Sequence, residues 1–206
     1  VKPCLGAKEY EDATVAEDEF AAYEKFGETY PGSPLAIDAY MRMLQSETGR
    51  GLEEAQIRDI AQRLIEVSKK WGEPRRRQSV VDASIAISEM RTKPKLAQEF
   101  LTESESFVEE NSPKSWQTMV PFHMALTMWD MENIEEATKR MEAFHLDHPL
   151  EPRSAYYLAH LYEEQDRTEE AMRIYAALGA LPKMPEFLER EMAADVDFVP
   201  AEEKPP

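Results

Sequence analysis

Four histidines, one cysteine and many carboxylates are the groups in this 206-residue chain with the means to do chemistry. His145 and His148 stand three apart, with Asp147 between them, near the end of a helical pattern. A bound metal needs further ligands held around such a pair, and neither His123 nor His160 is related to it by a ligand spacing. No metal and no cofactor is expected, and His145 is read as a cap on the last carbonyls of its helix. Cys4 has no histidine nearby in sequence to activate it as a nucleophile, and a lone cysteine forms no intramolecular disulfide. Pairs such as Glu109-Glu110 and Glu135-Glu136 are too common among 41 acidic residues to mark a two-carboxylate hydrolase. The chain has no glycine-rich phosphate loop, no Gly-x-Ser-x-Gly elbow and no His-Glu-x-x-His helix. A binding protein is expected rather than an enzyme.

Lys69, Lys70, Arg75, Arg76 and Arg77 form a basic cluster in a chain whose formal net charge is −17. Lys69 and Lys70 suit a helix C-terminus, whereas Arg75 to Arg77 fall at the start of the next helix, where the dipole gives them no help. One reading is a contact for an anion or an acidic partner. The favoured one is a solvated turn paired with Glu66 and Glu73. The overall charge repels phosphate backbones and anionic membranes, so neither nucleic acid nor a membrane surface is an expected partner. No apolar run is long enough to span a bilayer, and Val1 to Tyr10 lack the apolar stretch of a secretory signal. The chain begins at Val1 rather than Met, as a trimmed product would. Its location is left between the cytoplasm and a bacterial periplasm, and its oligomeric state is open.

The elements that must position these groups are helical. Ile57, Ile60, Ala61, Leu64, Ile65 and Ser68 recur in steps of three and four, with Arg58, Asp59, Arg63 and Glu66 on the other face. No segment shows the sustained alternation of a strand. The pattern predicts helices over 14–30, 34–47, 53–71, 76–91, 94–110, 114–131, 134–147, 153–165, 168–178 and 184–194. Ser33-Pro34 and Ser112-Pro113 are cap-then-proline starts. Residues 1–12 are expected to be flexible, 13–195 to form one helical domain, and 196–206 to be a disordered tail or linker.

The helices repeat. Met124, Ala125 and Met128 align with Leu158, Ala159 and Tyr162, and Ala137, Met141 and Phe144 align with Ala171, Tyr175 and Leu178. The offset is constant at 34 residues. At these positions, over about 119–183, the sequence resembles the tetratricopeptide repeat family. The resemblance thins upstream, where Ala97 precedes Ala137 by 40. Tyr30-Pro31-Gly32-Ser33-Pro34-Leu35-Ala36 resembles a junction found in envelope-facing repeat proteins of bacteria. The resemblance implies an all-α solenoid of stacked antiparallel hairpins, with small residues such as Ala159 and Ala171 letting helices approach.

It also implies a concave surface lined by the first helix of each hairpin. That pattern puts Met119, Phe122, Leu126, Trp129 and Asp130 there, followed by Arg153, Tyr156, His160, Glu163 and Glu164. Some of these, Phe122 and Trp129 above all, are equally readable as packing between helices. With Arg153 its only cation, such a groove does not fit the family's clamp for a C-terminal carboxylate. The expected function is a protein- or peptide-binding scaffold, with a basic or apolar segment preferred. The alternatives are a helical accessory region of a larger enzyme or envelope protein, for example a thioredoxin-like one, and an enzyme with an unrecognised site.

Overall fold

The computed structural model describes residues 4–179, and every regular element among them is helical. The order is α1 (Ala7–Ala13), α2 (Glu19–Thr29), α3 (Leu35–Gln45), α4 (Glu47–Arg50), α5 (Glu54–Lys69), α6 (Glu73–Glu89), α7 (Pro94–Glu105), α8 (Lys114–Asp130), α9 (Ile134–Asp147), α10 (Pro152–Glu163) and α11 (Thr168–Gly179). The helix expected over 184–194 and the tail expected over 196–206 lie outside the described residues. Among the described residues no helix is long and apolar enough to cross a membrane.

Where the helices end has local causes. The segment expected as one helix over 14–30 is broken, because Asp18 caps α2 by accepting from the Ala21 N–H at 3.0 Å. Thr14 closes α1 with its hydroxyl on the Glu11 carbonyl at 2.8 Å. Thus helix α1 begins within the stretch expected to be flexible, and its Tyr10 ring packs against Tyr23 and Phe26 of α2. Ser33 sits one residue before the N-cap and accepts from the Leu35 N–H at 3.3 Å. Pro74, Pro94 and Pro152 occupy first-turn positions, where a missing N–H costs nothing. Helix α7 stops at Glu105, short of the expected 110; Ser106 is its C-cap and donates to the Glu103 carbonyl at 2.6 Å.

The chain divides into two compact units between Met131 and Glu132. In the first unit, consecutive helices pack as pairs, and α1, α3, α6 and α8 each also touch the next member of that series. These four form one layer; α2, α5 and α7 form the other. Helix α6 is central, packed on α3, α5, α7 and α8, so Ser79, Val80, Val81, Ala83, Ser84, Ala86, Ile87 and Ser88 are all buried. Small side chains let neighbouring axes come close.

Of the three buried hydroxyls of α6, Ser79 Oγ has no hydrogen-bond partner among the described residues, whereas Ser84 and Ser88 are paired; an unpaired one costs about 1–3 kcal/mol. Ser84 donates to the Val81 carbonyl at 2.8 Å and accepts from Ser104 of α7 at 3.0 Å. Ser88 lies 3.1 Å from the Thr127 hydroxyl and 3.2 Å from His123 Nδ1, both on α8. These bonds fix the register of α6 against both neighbours. In the other layer α5 and α7 stand apart over a cleft of about 610 Å³. The close approach therefore lies on the α1–α3–α6–α8 side.

In the second unit, α10 packs on both α9 and α11. Ala137, Met141 and Phe144 are buried, as are Leu158, Ala159, Ala171 and Leu178. Tyr162 donates to Glu142 of α9 at 3.0 Å, while the Arg167 guanidinium lies 3.9 Å from its ring centre and pairs with Glu142 and Glu170. Burial, with the Glu142 carboxylate as acceptor, pushes the Tyr162 phenol up to about 12.

The backbone repeats as well. Arg91, Glu132 and Asp166, which follow α6, α8 and α10, are left-handed at φ 59°, 60° and 57°. A left-handed residue just past a helix end reverses the chain into the next helix. Glu132 and Asp166 are separated by the same 34 residues as Ala137 and Ala171.

Candidate functional site

Since α6 is enclosed by four helices, one stripe of it reaches solvent. Gln78, Asp82 and Ile85 are half-buried and Glu89 is exposed, in steps of four, three and four. The matching stripe of α3 is Asp38, Met41, Arg42 and Gln45. Both stripes belong to helices of the α1–α3–α6–α8 layer. Asp38 is occupied, because Arg42 bonds it at 3.0 Å and Tyr10 donates to it.

Asp82 is held differently. Gln78 Nε2 donates to it at 2.6 Å, and it enters no ion pair among the described residues. Partial burial raises its pKa above the ordinary 3.8, against smaller opposing effects of the Gln78 bond and of Arg75. This face carries acid beside apolar surface: Asp82 and Glu89 with Ile85 and Met41. The sequence reading identifies the helix but not this stripe. Its spacing was legible, yet Ser and Ala along the rest of α6 blur the contrast by which an apolar face is recognised.

The residues expected to line a groove are placed as follows. In the first unit, Phe122 and Leu126 are buried at 3% and 4% exposure, and Phe122 stands edge-on to His123. Met119, Trp129 and Asp130 are half-buried. Arg91 lies over the Trp129 ring at 5.7 Å and reaches both Asp130 oxygens through Nε, at 2.7 and 2.5 Å. In the second unit, Tyr156 is buried at 4% exposure with its ring edge-on to His160, at 4.5 Å between centres. His160 Nδ1 lies 3.3 Å from Glu163, and the Tyr175 hydroxyl donates to the same carboxylate at 2.8 Å. Arg153 is half-buried. The fold thus gathers Tyr156, His160, Glu163 and Tyr175 into one cluster. It buries Phe122, Leu126 and Tyr156. Met119, Trp129, Arg153 and His160 are half-buried and Glu163 is exposed, while the Asp130 side chain is 11% exposed and paired with Arg91.

His145 does not cap carbonyls as expected. Its Nδ1 faces the Ser154 hydroxyl at 3.0 Å, and burial lowers its pKa below the ordinary 6.5. His148 packs against the Phe144 ring. No group of three or more potential metal ligands forms among the described residues. In the basic cluster, Lys69 pairs with Glu66 at 2.6 Å, and Arg76 and Arg77 both pair with Glu73. Arg76 also reaches Glu103 at 2.6 Å.

No protein-family model, no curated protein and no solved structure matches the chain. The functional reading therefore rests on an all-α architecture of consecutively packed helices and on the chemistry of its faces.

Proposed function

We propose that the chain is a tetratricopeptide-like scaffold, not an enzyme, and that it holds an extended protein segment carrying Lys or Arg beside apolar residues. The concave face of the first unit, from α3 to α6, is the seat of that segment. The observation that carries this reading is Asp82, a carboxylate partly withdrawn from water with a glutamine for company and no counter-ion in contact. A partner's ammonium or guanidinium supplies the missing charge in a setting where screening is reduced. Ile85 and Met41 offer apolar contact beside it, and the net charge of −17 draws cationic segments in. The 34-residue recurrence of left-handed turns and buried alanines supports the repeat assignment. Met119, Trp129 and Asp130 in the first unit, and Arg153, His160 and Glu163 in the second, are proposed as additional contacts on their own units.

The test is fluorescence anisotropy with a short labelled peptide of alternating Lys and Leu, using wild type, Asp82→Asn and Ile85→Ala. Loss of the charge at Asp82 is expected to weaken binding about tenfold, as for a central interface residue. In the wild type the Asp82 carboxyl resonance should report a lower pKa once the peptide is bound. Unchanged affinity in both variants would remove the basis for this face.

A further inference from the structure

The α5–α6 turn presents a surface of opposite character, whose Arg75 begins the α6 stripe that continues through Gln78 and Asp82. Between Arg63 and Arg77 the chain has six cations against two acids, in a protein of net charge −17. Trp71 stands at the middle of this stretch and is 48% exposed, an unusual state for the largest apolar side chain. Gly72, with φ 93°, turns the chain so that α6 starts directly after it, and the Arg75 N–H returns to the Gly72 carbonyl at 3.1 Å. Lys70 and Arg75 thereby flank Trp71 at the two ends of one tight turn.

Among the described residues Lys70 and Arg75 enter no direct ion pair; Lys70 donates to the Pro31 carbonyl at 3.0 Å, and the two cations act at longer range on Glu66 and Asp82. The neighbouring pairs, Lys69 with Glu66 and Arg77 with Glu73, are exposed. Pairs of that kind are worth about 0–1 kcal/mol, so an incoming carboxylate can replace their acids at little cost. Three arginines near the start of α6 also gain nothing from the helix dipole. Arg76 and Arg77 are engaged by Glu73, Glu103 and the Phe107 ring, which leaves Arg75 as the one of the three without such a contact among the described residues.

We propose that Lys70, Trp71 and Arg75 form a docking surface for an acidic segment of a partner protein, with Trp71 covering an apolar residue of that segment and the two cations holding its carboxylates. Aromatic anchors ringed by charge are the usual form of an interaction hot spot. Charge complementarity selects the occupant. The chain as a whole repels acidic molecules, so only a segment short enough to lie within this patch, about a Debye length across, is attracted. That condition excludes long polyphosphate chains and favours a peptide. The two readings meet at Arg75, which acts on Asp82, but they call for partners of opposite charge and are tested apart.

The experiment uses the full chain and a short fluorescein-labelled peptide of glutamates around a central leucine. Anisotropy should report binding at low salt that falls steeply as salt rises. Trp71→Ala is expected to weaken it at least about tenfold, and Lys70→Glu combined with Arg75→Glu to abolish it. Asp82→Asn, which removes a carboxylate acting on Arg75, should not weaken it, which separates this outcome from failure of the concave-face reading. All three side chains are exposed, so circular dichroism of the variants should match wild type. The proposal is overturned if the peptide fails to bind at low salt, if the variants bind it as well as wild type, or if a single-stranded oligothymidylate binds the same residues more tightly than the peptide.

Discussion

Gly27 lies on α2 against the ring of Tyr40 on α3, and replacing it with alanine sets two physical effects against each other. An added Cβ would stand 2.5 Å from Tyr40 Cζ and 2.7 Å from its hydroxyl oxygen. Ordinary carbon contacts lie at about 3.5–4.0 Å, so the ring must retreat by about 1 Å. It has little room to do so. Tyr40 is 3% exposed, and its hydroxyl lies near enough to Arg63 of α5 for that charge to act on it. Overpacking of this kind costs about 1–3 kcal/mol. Helix propensity alone favours alanine over glycine by about 1 kcal/mol. Packing therefore wins, and Gly27→Ala should lose about 1 kcal/mol net, a fall in Tm of about 2–4 °C for a chain of this size. Urea and thermal melts would measure it. In a Tyr40→Leu background the ring is gone, and the same substitution should become stabilising by about 1 kcal/mol. A Gly27→Ala protein more stable than wild type, or no change of sign between the two backgrounds, would refute the argument for a close α2–α3 contact.

Other outcomes follow from the same geometry. His145 is half-buried with its pKa lowered from 6.5, so the unfolded chain binds the proton more readily. Stability of the second unit should be fully present above about pH 6.5 and decline as pH falls through the lower folded value; His145→Gln should flatten that dependence in pH-stepped urea melts. Tyr162 has its pKa raised from 10.0 to about 12, so its contribution is present below pH 10 and is lost as pH rises toward 12. Ultraviolet tyrosinate titration should show late-ionising phenols, Tyr30 and Tyr40 among them, and Glu142→Gln should move the Tyr162 step earlier by removing its carboxylate acceptor. Ser88→Ala takes the hydrogen-bond partner from the buried Thr127 hydroxyl and should cost about 1–3 kcal/mol in a chemical melt; an effect near zero would show that the α6–α8 register does not rest on that bond.

The helices were legible in the sequence because their signals are local. Apolar steps of three and four, the prolines at first-turn positions and the capping residues act over one or two turns of chain. Asp18 shows the limit of that legibility: its carboxylate competes with helix continuation, and only the packing of Tyr10 on Tyr23 and Phe26 decides that the chain breaks there. The site was less legible. Phe122 and Tyr156 have the residue type of a binding hot spot, but type does not say which side of a helix is covered, and both are buried. Asp82 had no distinguishing neighbour in sequence, and its significance lies in the four helices that enclose α6.

By itself the sequence determined the all-α class, the 34-residue recurrence between 119 and 183, the strong acidity and the basic stretch around Trp71. Each depends on composition or on spacing along one chain. Tertiary structure alone decided which stripe of α6 keeps contact with water, which aromatics are covered, and that Lys70 and Arg75 make no direct ion pair among the described residues while Lys69 and Arg77 do. Those outcomes depend on which helices meet, and solvent exclusion and ion pairing are set by groups distant in sequence.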